Sequence, residues 1–209
     1  MRPGLEEVRD KQFGVFTSWQ VLCEYTRVEL RALLDRGEWV RVFRGVFREA
    51  GTAPSARLRV EAARLSMGVL SLAAAYDTAA ELHGFAVRHN RPTHVLGSQD
   101  SRTGRLVVHH DQVDRAELEL IQGIVTTNAA RTTIDVARTV SRPDALATLN
   151  AALRHGVSRS ALTLELQRHH RRRGYHQAAE LLELARARPR TTLRARLPCP
   201  NTSLLIPEH

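Results

Sequence analysis

The spacing of apolar and polar residues changes from helical to extended several times along the chain, which predicts a mixed α and β protein. Near the N-terminus, Thr17 and Thr26 each precede a short run with helical spacing, and threonine is a favoured N-cap residue. Gly37 ends the second of these predicted helices. Its apolar stripe consists of Val28, Leu30, Leu33 and Leu34.

A β-hairpin is predicted directly after this helix. Two short strands flank Arg44 and Gly45, where glycine tolerates the positive φ of a tight turn. The order helix, turn, helix and hairpin is that of a winged helix-turn-helix, whose second helix can enter the major groove of DNA. The predicted DNA-binding residues, at the start of the helix and on the hairpin, are Arg27, Glu29, Arg31, Arg41, Arg44 and Arg48.

These residues would have two different roles in such a complex. Arginines on the helix can read guanine edges, whereas arginines on the hairpin would position the protein on phosphates. The same pattern also fits an ordinary surface helix and hairpin whose arginines are simply solvated. The local excess of basic residues between Thr26 and Arg48 favours the DNA-binding interpretation.

The segment at residues 51–54 contains glycine and proline and predicts a domain boundary. We therefore predict an α+β fold with an N-terminal winged helix-turn-helix domain at residues 1–51. A small α/β domain with C-terminal helices is expected at residues 55–188. Residues 189–209 break every periodicity with proline and polar residues, and they are predicted to form a tail with little order.

Helices and strands alternate in the predicted α/β domain. A helix is expected to begin after Ser55 and to end near Gly68, and a buried strand is expected at residues 69–73. Thr78 with Glu81 three residues later predicts a capping box at the start of a short helix. Two further strands are predicted at residues 93–97 and 105–110, and a third apolar segment follows at residues 118–121 and 124–126. The further predicted helices start after a cap at Thr127 or Asn128, near Asp144, after Ser158 and near Tyr175.

The charge of the chain favours an anionic partner. The 209 residues carry a net charge of +9, most of it within residues 151–209, and Lys11 is the only lysine. Nucleic acid is favoured over a membrane, because no basic amphipathic helix with bulky aromatic residues is present. A second basic cluster near a helix end either offsets the helix dipole or contacts phosphate as a secondary site. The cluster consists of His169, His170, Arg171, Arg172, Arg173 and His176, and the possible phosphate contacts are Arg171, Arg172 and Arg173.

Neither a metal site nor an enzyme is predicted. Cys23 and Cys199 have no partner at metal-ligand spacing, and the adjacent His109 and His110 would point to opposite faces of a strand. No phosphate-binding loop, dinucleotide fingerprint or nucleophile elbow occurs, so no cofactor is expected. With no apolar stretch long enough to span a membrane and no secretory signal, we expect a cytoplasmic protein.

Several stretches of the sequence together resemble the actinobacterial AbiEi antitoxins of type IV toxin-antitoxin systems. They are "GEWVRVFRGVFREAG", "LAAAYDTAAELHGF" and "GIVTTNAARTTIDVAR", followed in the same order by "ATLNAALRHGVSRSAL". The resemblance implies a winged helix domain that binds double-stranded DNA at its own promoter and represses its operon. It also implies a nucleotidyltransferase-like toxin as functional partner, without a requirement for direct contact. A homodimer on a repeated operator is plausible, because one winged helix buries limited surface.

The chain departs from members of this family that continue into a nuclease domain similar to very-short-patch-repair or restriction enzymes. Such a nuclease needs carboxylates that hold a metal and a lysine that orients water, but no acidic residue lies between Glu183 and Glu208. We therefore expect a truncated or frameshifted terminus. Two alternatives stay open: a nuclease-lineage protein that lost its catalytic domain and binds nucleic acid non-specifically, and a protein-interaction module.

Overall fold

The computed structural model describes residues 1–85, 92–99 and 104–186 and confirms the prediction of a mixed α+β fold. The predicted tail at residues 189–209 lies outside the described residues. The N-terminal unit, residues 3–49, contains α1 (Pro3–Lys11), β1 (Val15–Thr17), α2 (Ser18–Leu22), α3 (Arg27–Asp35), β2 (Trp39–Phe43) and β3 (Val46–Glu49). Its strands form an antiparallel sheet in the order β1-β3-β2.

The predicted helices and hairpin of this unit are present, and two further elements precede them. α1 buries only Leu5, and β1 has three residues. Neither element therefore produces a clear periodic pattern of apolar residues in the sequence. β1 matters because it pairs with β3 and turns the hairpin into a three-stranded sheet. Pairing with a distant strand is a tertiary event that local periodicity cannot reveal.

The core of the N-terminal unit lies between α1, α2 and α3 and one face of this sheet. Phe16 is fully buried, and its ring meets Trp39 edge-on with centroids 4.8 Å apart. Phe47 lies on the same side, and α3 packs against it through Leu30, Leu33 and Leu34. The prediction that Val28 belongs to this stripe is wrong, because its side chain is 78% exposed.

The opposite face of the sheet is covered by α4 (Ala56–Met67). Leu58 and Ala62 pack against Val15 and Val46 of the sheet. Other residues of α4, including Val60, belong to the core of the second half of the chain. The predicted boundary at residues 51–54 therefore precedes a helix that packs against both halves, and the boundary itself remains a prediction.

The second unit, residues 73–184, is built on a five-stranded sheet in the order β6-β5-β4-β8-β7. Its strands are β4 (Ala73–Ala74), β5 (Thr93–Leu96), β6 (Leu106–His109), β7 (Leu118–Ile121) and β8 (Ile124–Thr127). The strands predicted at residues 93–97 and 105–110 are confirmed with shorter bounds, and the apolar segment at residues 118–121 and 124–126 forms β7 and β8. The buried strand predicted at residues 69–73 is wrong: only its last residue lies in a strand, and Leu70 is 97% exposed.

The predicted capping box of the next helix is also wrong. α5 (Tyr76–Leu82) begins two residues before Thr78, with Ala75 as N-cap and no side-chain cap. The Thr78 hydroxyl instead accepts a hydrogen bond of 2.8 Å from the His94 backbone. The Glu81 carboxylate accepts hydrogen bonds from Arg59 and from the backbone N–H of Ala56 on α4. Thr78 and Glu81 therefore form hydrogen bonds with residues distant in sequence, and not the local capping bonds that their spacing predicted.

Helices complete the second unit: α6 (Ala129–Thr139), α7 (Arg142–Arg154), α8 (Arg159–Arg168) and α9 (Tyr175–Leu184). The predicted caps are confirmed, since Asn128 accepts from the Arg131 N–H and Ser158 accepts from the Ala161 N–H. Ile134 of α6 and Leu149 of α7 are fully buried in the core that these helices share. Among the described residues, no helix is long and apolar enough to cross a membrane.

Candidate nucleic-acid interface

The start of α3 is shaped by a reciprocal capping box. The Glu29 N–H donates a hydrogen bond to the Thr26 hydroxyl. The Thr26 N–H in turn donates a hydrogen bond of 2.7 Å to Glu29 Oε2. Arg2 donates a hydrogen bond of 2.6 Å to the other carboxylate oxygen, Glu29 Oε1. Hydrogen bonds from the backbone and hydroxyl of Thr26 hold the pKa of Glu29 below its ordinary value. Both carboxylate oxygens therefore have partners within the chain, and a contact of Glu29 with DNA stays a prediction.

Two of the predicted residues of α3 are freely presented to solvent. Arg27 and Arg31 are exposed and lie one turn apart. Arg31 has one acidic neighbour, Asp35, at 3.9 Å, and both side chains are strongly exposed. Such an exposed pair is weak and salt-screened, so Arg31 can exchange this contact for one with DNA.

Strand register separates two arginines that the hairpin pattern had grouped together. Arg41 pairs with Phe47, and Arg48 pairs with Val40, so the two arginines occupy opposite faces of the sheet. The Arg41 guanidinium lies 5.8 Å from the centroid of the Phe47 ring, on the face that carries α3. Arg41 therefore shares the side of the proposed recognition helix.

Arg48 points to the other face and is used inside the chain. Its Nη1 donates to the carbonyl oxygens of Glu49, Ala50 and Thr52, at 2.8, 3.0 and 2.7 Å. These bonds hold the loop that leads into α4. The predicted DNA contact of Arg48 stays a prediction, and such a contact would lie on the opposite face of the sheet from Arg41.

The hairpin turn is short and held at both of its central residues. The Ser18 N–H donates 2.8 Å to the Gly45 carbonyl, which ties the turn to the start of α2. The Ser66 hydroxyl donates 3.0 Å to the Arg44 carbonyl, which ties it to the end of α4. The Arg44 side chain remains exposed. The side chain of Arg44 is therefore exposed on a short turn whose backbone is held by hydrogen bonds.

In the C-terminal basic cluster, one arginine has an acidic partner within the chain and two are exposed. Arg172 forms an ion pair with Asp111, which also accepts 2.5 Å from the Tyr76 hydroxyl. Although burial works against it, these two partners keep the pKa of Asp111 below its ordinary value. Arg172 therefore has an acidic partner within the chain, and its phosphate contact stays a prediction. Arg171 and Arg173 are exposed and stay available for that role.

The stretch "GIVTTNAARTTIDVAR" forms a buried ionic network rather than a surface site. Arg131 donates 2.6 Å to Asp135 and 3.1 Å to Glu117, and all three residues are buried. Burial raises the pKa of Asp135, although Arg131, His169 and Arg138 work to lower it. The carboxylates of Asp135 and Glu117 raise the pKa of Arg131 in spite of its burial. The network therefore joins α6 to Glu117, the residue directly before β7.

α8 completes this network. Arg138 donates 2.8 Å to Asp135 and 3.0 Å to His169 Nδ1, and His169 Nε2 lies 2.9 Å from Glu165. Because Arg138 can only donate, His169 accepts through Nδ1 and donates through Nε2. His169 belonged to the predicted basic cluster, but the structure buries it at the end of α8 against Arg138 of α6. The sequence signal for the network was the four-residue spacing of Arg131 and Asp135 on one helix.

Two histidines of the second sheet, His94 and His109, lie side by side. His94 Nδ1 and His109 Nε2 are 2.9 Å apart, and Tyr76 stacks on His109 with centroids 4.1 Å apart. In the part of the chain that the structure describes, no group of three or more histidine, cysteine, aspartate and glutamate side chains could hold a metal ion.

A cleft of about 710 Å³ separates the hairpin from the second unit. It is lined in part by Arg48, Arg59, Glu81 and Asp77. Arg59 donates to Glu81 and to the Pro54 carbonyl, so both of these guanidinium groups have partners in the chain. The exposed arginines of α3 lie on the other face of the N-terminal sheet.

Fold and surface define a class of protein: a small α+β protein whose N-terminal helices present exposed arginines. A family model described as the AbiEi antitoxin C-terminal domain matches residues 72–184, which is more than half of the chain. The chain therefore belongs to the AbiEi antitoxin family, as its resemblance implied. This membership supports an antitoxin-like role, and the matched region covers the buried network but not α3.

Relatives of known sequence extend over most of the chain. Two Mycobacterium tuberculosis proteins, the uncharacterized proteins MT2308 and Rv2248, are each 36% identical over 188 residues. The match covers 88% of this chain and 68% of each relative. The crystal structure of the Rv2827c protein from the same organism is similar in fold, with a TM-score of 0.55 at 13% identity. That likeness covers 85% of this chain and 74% of the other.

Proposed function

We propose that the protein is a DNA-binding transcriptional regulator of the antitoxin type that represses its own operon. The observation that carries this proposal is the exposed face of α3, where Arg27 and Arg31 point away from the core. The N-terminal unit has the element order α1-β1-α2-α3-β2-β3 and the strand order β1-β3-β2, which we interpret as a winged helix-turn-helix.

In this interpretation α3 enters the major groove and the hairpin turn contacts the backbone. Arg31 and Arg27 are the proposed base-contacting residues, because arginine can bind guanine O6 and N7 together. Arg41 and Arg44 are proposed to contact phosphates from the same side of the protein. Arg171 and Arg173 are proposed as a secondary phosphate contact, and their contribution would be independent of sequence.

The partners follow from family membership and are part of the proposal. The DNA would be the promoter region of the protein's own operon. The functional partner would be a nucleotidyltransferase-like toxin that need not touch this protein. A homodimer on a repeated operator would increase the buried surface and the specificity.

A fluorescence-anisotropy titration tests this function directly. The protein is titrated against its own upstream region and against a scrambled duplex of equal length, at two salt concentrations. We expect at least about tenfold tighter binding to the native duplex, which corresponds to about 1.4 kcal/mol. Arg31→Ala should remove most of this preference, whereas Arg44→Ala should weaken both duplexes similarly and reduce the salt slope by about 1.

The matched control is Arg142→Ala. Arg142 is exposed and pairs with Glu180 on the second unit, so its removal changes the net charge equally without touching α3 or the hairpin. This variant should bind like the unmodified protein. Equal affinity for both duplexes would contradict the proposal and favour a non-specific nucleic-acid binder. No binding to either duplex would favour a protein-interaction module.

Tryptophan emission provides an independent reading of the same contact. Trp19 on α2 is 76% exposed, whereas Trp39 is buried in the core of the N-terminal unit. We expect the native duplex to change the emission of Trp19, because α2 adjoins α3 in the proposed interface. Trp19→Phe should abolish the change while leaving the emission of Trp39. A DNA-induced change that persists in Trp19→Phe would place the contact elsewhere.

A further inference from the structure

Val28 lies at the centre of the exposed face of α3. The helix turns by about 100° per residue, so Val28 points nearly opposite to the mean direction of the buried side chains. Those side chains are Leu30, Leu33 and Leu34. Val28 is 78% exposed, and it is not part of any core cluster of the described residues. A β-branched residue at this position adds neither packing nor helix propensity.

The neighbours of Val28 suit a close approach to DNA. Arg31 is exposed and lies one turn further along the helix on the same side. Ala32 lies four residues after Val28, and its small side chain does not project beyond the side chain of Val28. The capping box at Thr26 and Glu29 holds the backbone on either side of Val28, so its side chain has a fixed direction.

The major groove offers one distinctive apolar group to such a side chain. Among the four bases, only thymine carries a methyl group at the groove edge, and apolar side chains that contact it distinguish thymine from cytosine. We propose that Val28 is a specificity-determining residue that contacts a thymine methyl group, within about one helical turn of the base contacted by Arg31. This inference rests on the proposed function, because it requires α3 to lie in the major groove.

Replacing thymine by deoxyuridine tests the contact, because it removes only the methyl group. The native upstream duplex and a copy in which every thymine is deoxyuridine are titrated with the unmodified protein and with Val28→Ala. Burial of one methyl group corresponds to about a fourfold change in affinity. We expect the unmodified protein to bind the deoxyuridine duplex about fourfold more weakly, and Val28→Ala to bind both duplexes equally.

Leu120→Ala is the matched control. Leu120 is an aliphatic residue that is 71% exposed on β7 of the second unit, so the control removes a comparable apolar surface outside the N-terminal unit. It should retain the full penalty for deoxyuridine. Circular dichroism of both variants checks that folding is unchanged, as expected for truncation of an exposed side chain.

The outcomes separate this inference from the proposed function. A protein that prefers its native duplex over the scrambled one but ignores the methyl groups would overturn the role of Val28 and leave the function standing. A penalty that persists in Val28→Ala would also overturn it, since another residue would then contact the methyl group. Loss of dimerisation by Val28→Ala in sedimentation, with the penalty unchanged, would assign the residue to contact with a second copy. Absence of any preference for the native duplex would remove the proposed function and the inference with it.

Discussion

Asp135→Asn is expected to lower the free energy of unfolding by about 3–5 kcal/mol, the usual effect of breaking a buried ion pair. The Asp135 carboxylate accepts from both Arg131 and Arg138, and the three side chains are buried. Asparagine has the same shape but carries no charge. The buried positive charges of Arg131 and Arg138 would then lack the negative charge that stabilises them. Urea denaturation followed by circular dichroism at pH 7 measures the change from the shift in midpoint.

The appropriate control is Glu180→Gln, the same change of charge in an exposed ion pair. Glu180 lies 2.8 Å from Arg142, and both side chains are more than half exposed. Such pairs contribute at most about 1 kcal/mol. If Asp135→Asn cost no more than Glu180→Gln, the network would not contribute to stability as a buried charge cluster, and its members would be interchangeable with other polar residues.

Gly174→Ala is expected to lower the free energy of unfolding by about 2–4 kcal/mol, from backbone strain and overpacking together. Gly174 has φ +81, which L-residues rarely adopt, and a Cβ atom there would lie 2.0 Å from the Arg138 carbonyl oxygen. The start of α9 therefore passes so close to the end of α6 that a side chain forces the two helices apart. The same urea titration measures this effect.

Gly156→Ala separates the two contributions. Gly156 has φ +91, but a Cβ atom there would meet nothing within 4 Å. This variant should cost only the strain of a left-handed conformation, about 1–2 kcal/mol. Equal effects of the two substitutions would show that the close approach at Arg138 relaxes without cost, contrary to our expectation.

Elements with strong local signals were predicted correctly from the sequence. Thr17, Thr26, Asn128 and Ser158 each cap the helix that follows them, because a side-chain oxygen can satisfy a free N–H only a few residues away. The two strands around Arg44 and Gly45 were predictable for the same reason, since the turn is a local structure.

Elements that depend on distant partners were not predictable. The spacing of Thr78 and Glu81 is correct for a capping box, yet their side chains bond to His94 and Arg59 instead. β4 has only two residues and exists because it pairs with both β5 and β8. Its pairing brings together strands whose contacts span a long stretch of chain, and no window of sequence contains that information.

The candidate site shows the same division between local and tertiary information. Charge and helical spacing singled out the segment from Thr26 to Arg48, and Arg27, Arg31 and Arg44 are indeed exposed there. Sequence spacing alone could not show that Glu29 bonds to Arg2, because Arg2 lies 27 residues earlier in the chain, directly before α1.

The sequence by itself determined the class of fold, the caps and turns, and the segment of α3 and the hairpin that carries exposed arginines. Only the tertiary structure decided which of these side chains are available to a ligand. Arg41 and Arg48 illustrate the reason: both lie on the hairpin, but their strand register places them on opposite faces of the sheet. A charged side chain bonds to the nearest available partner in space, and the fold determines which partner that is.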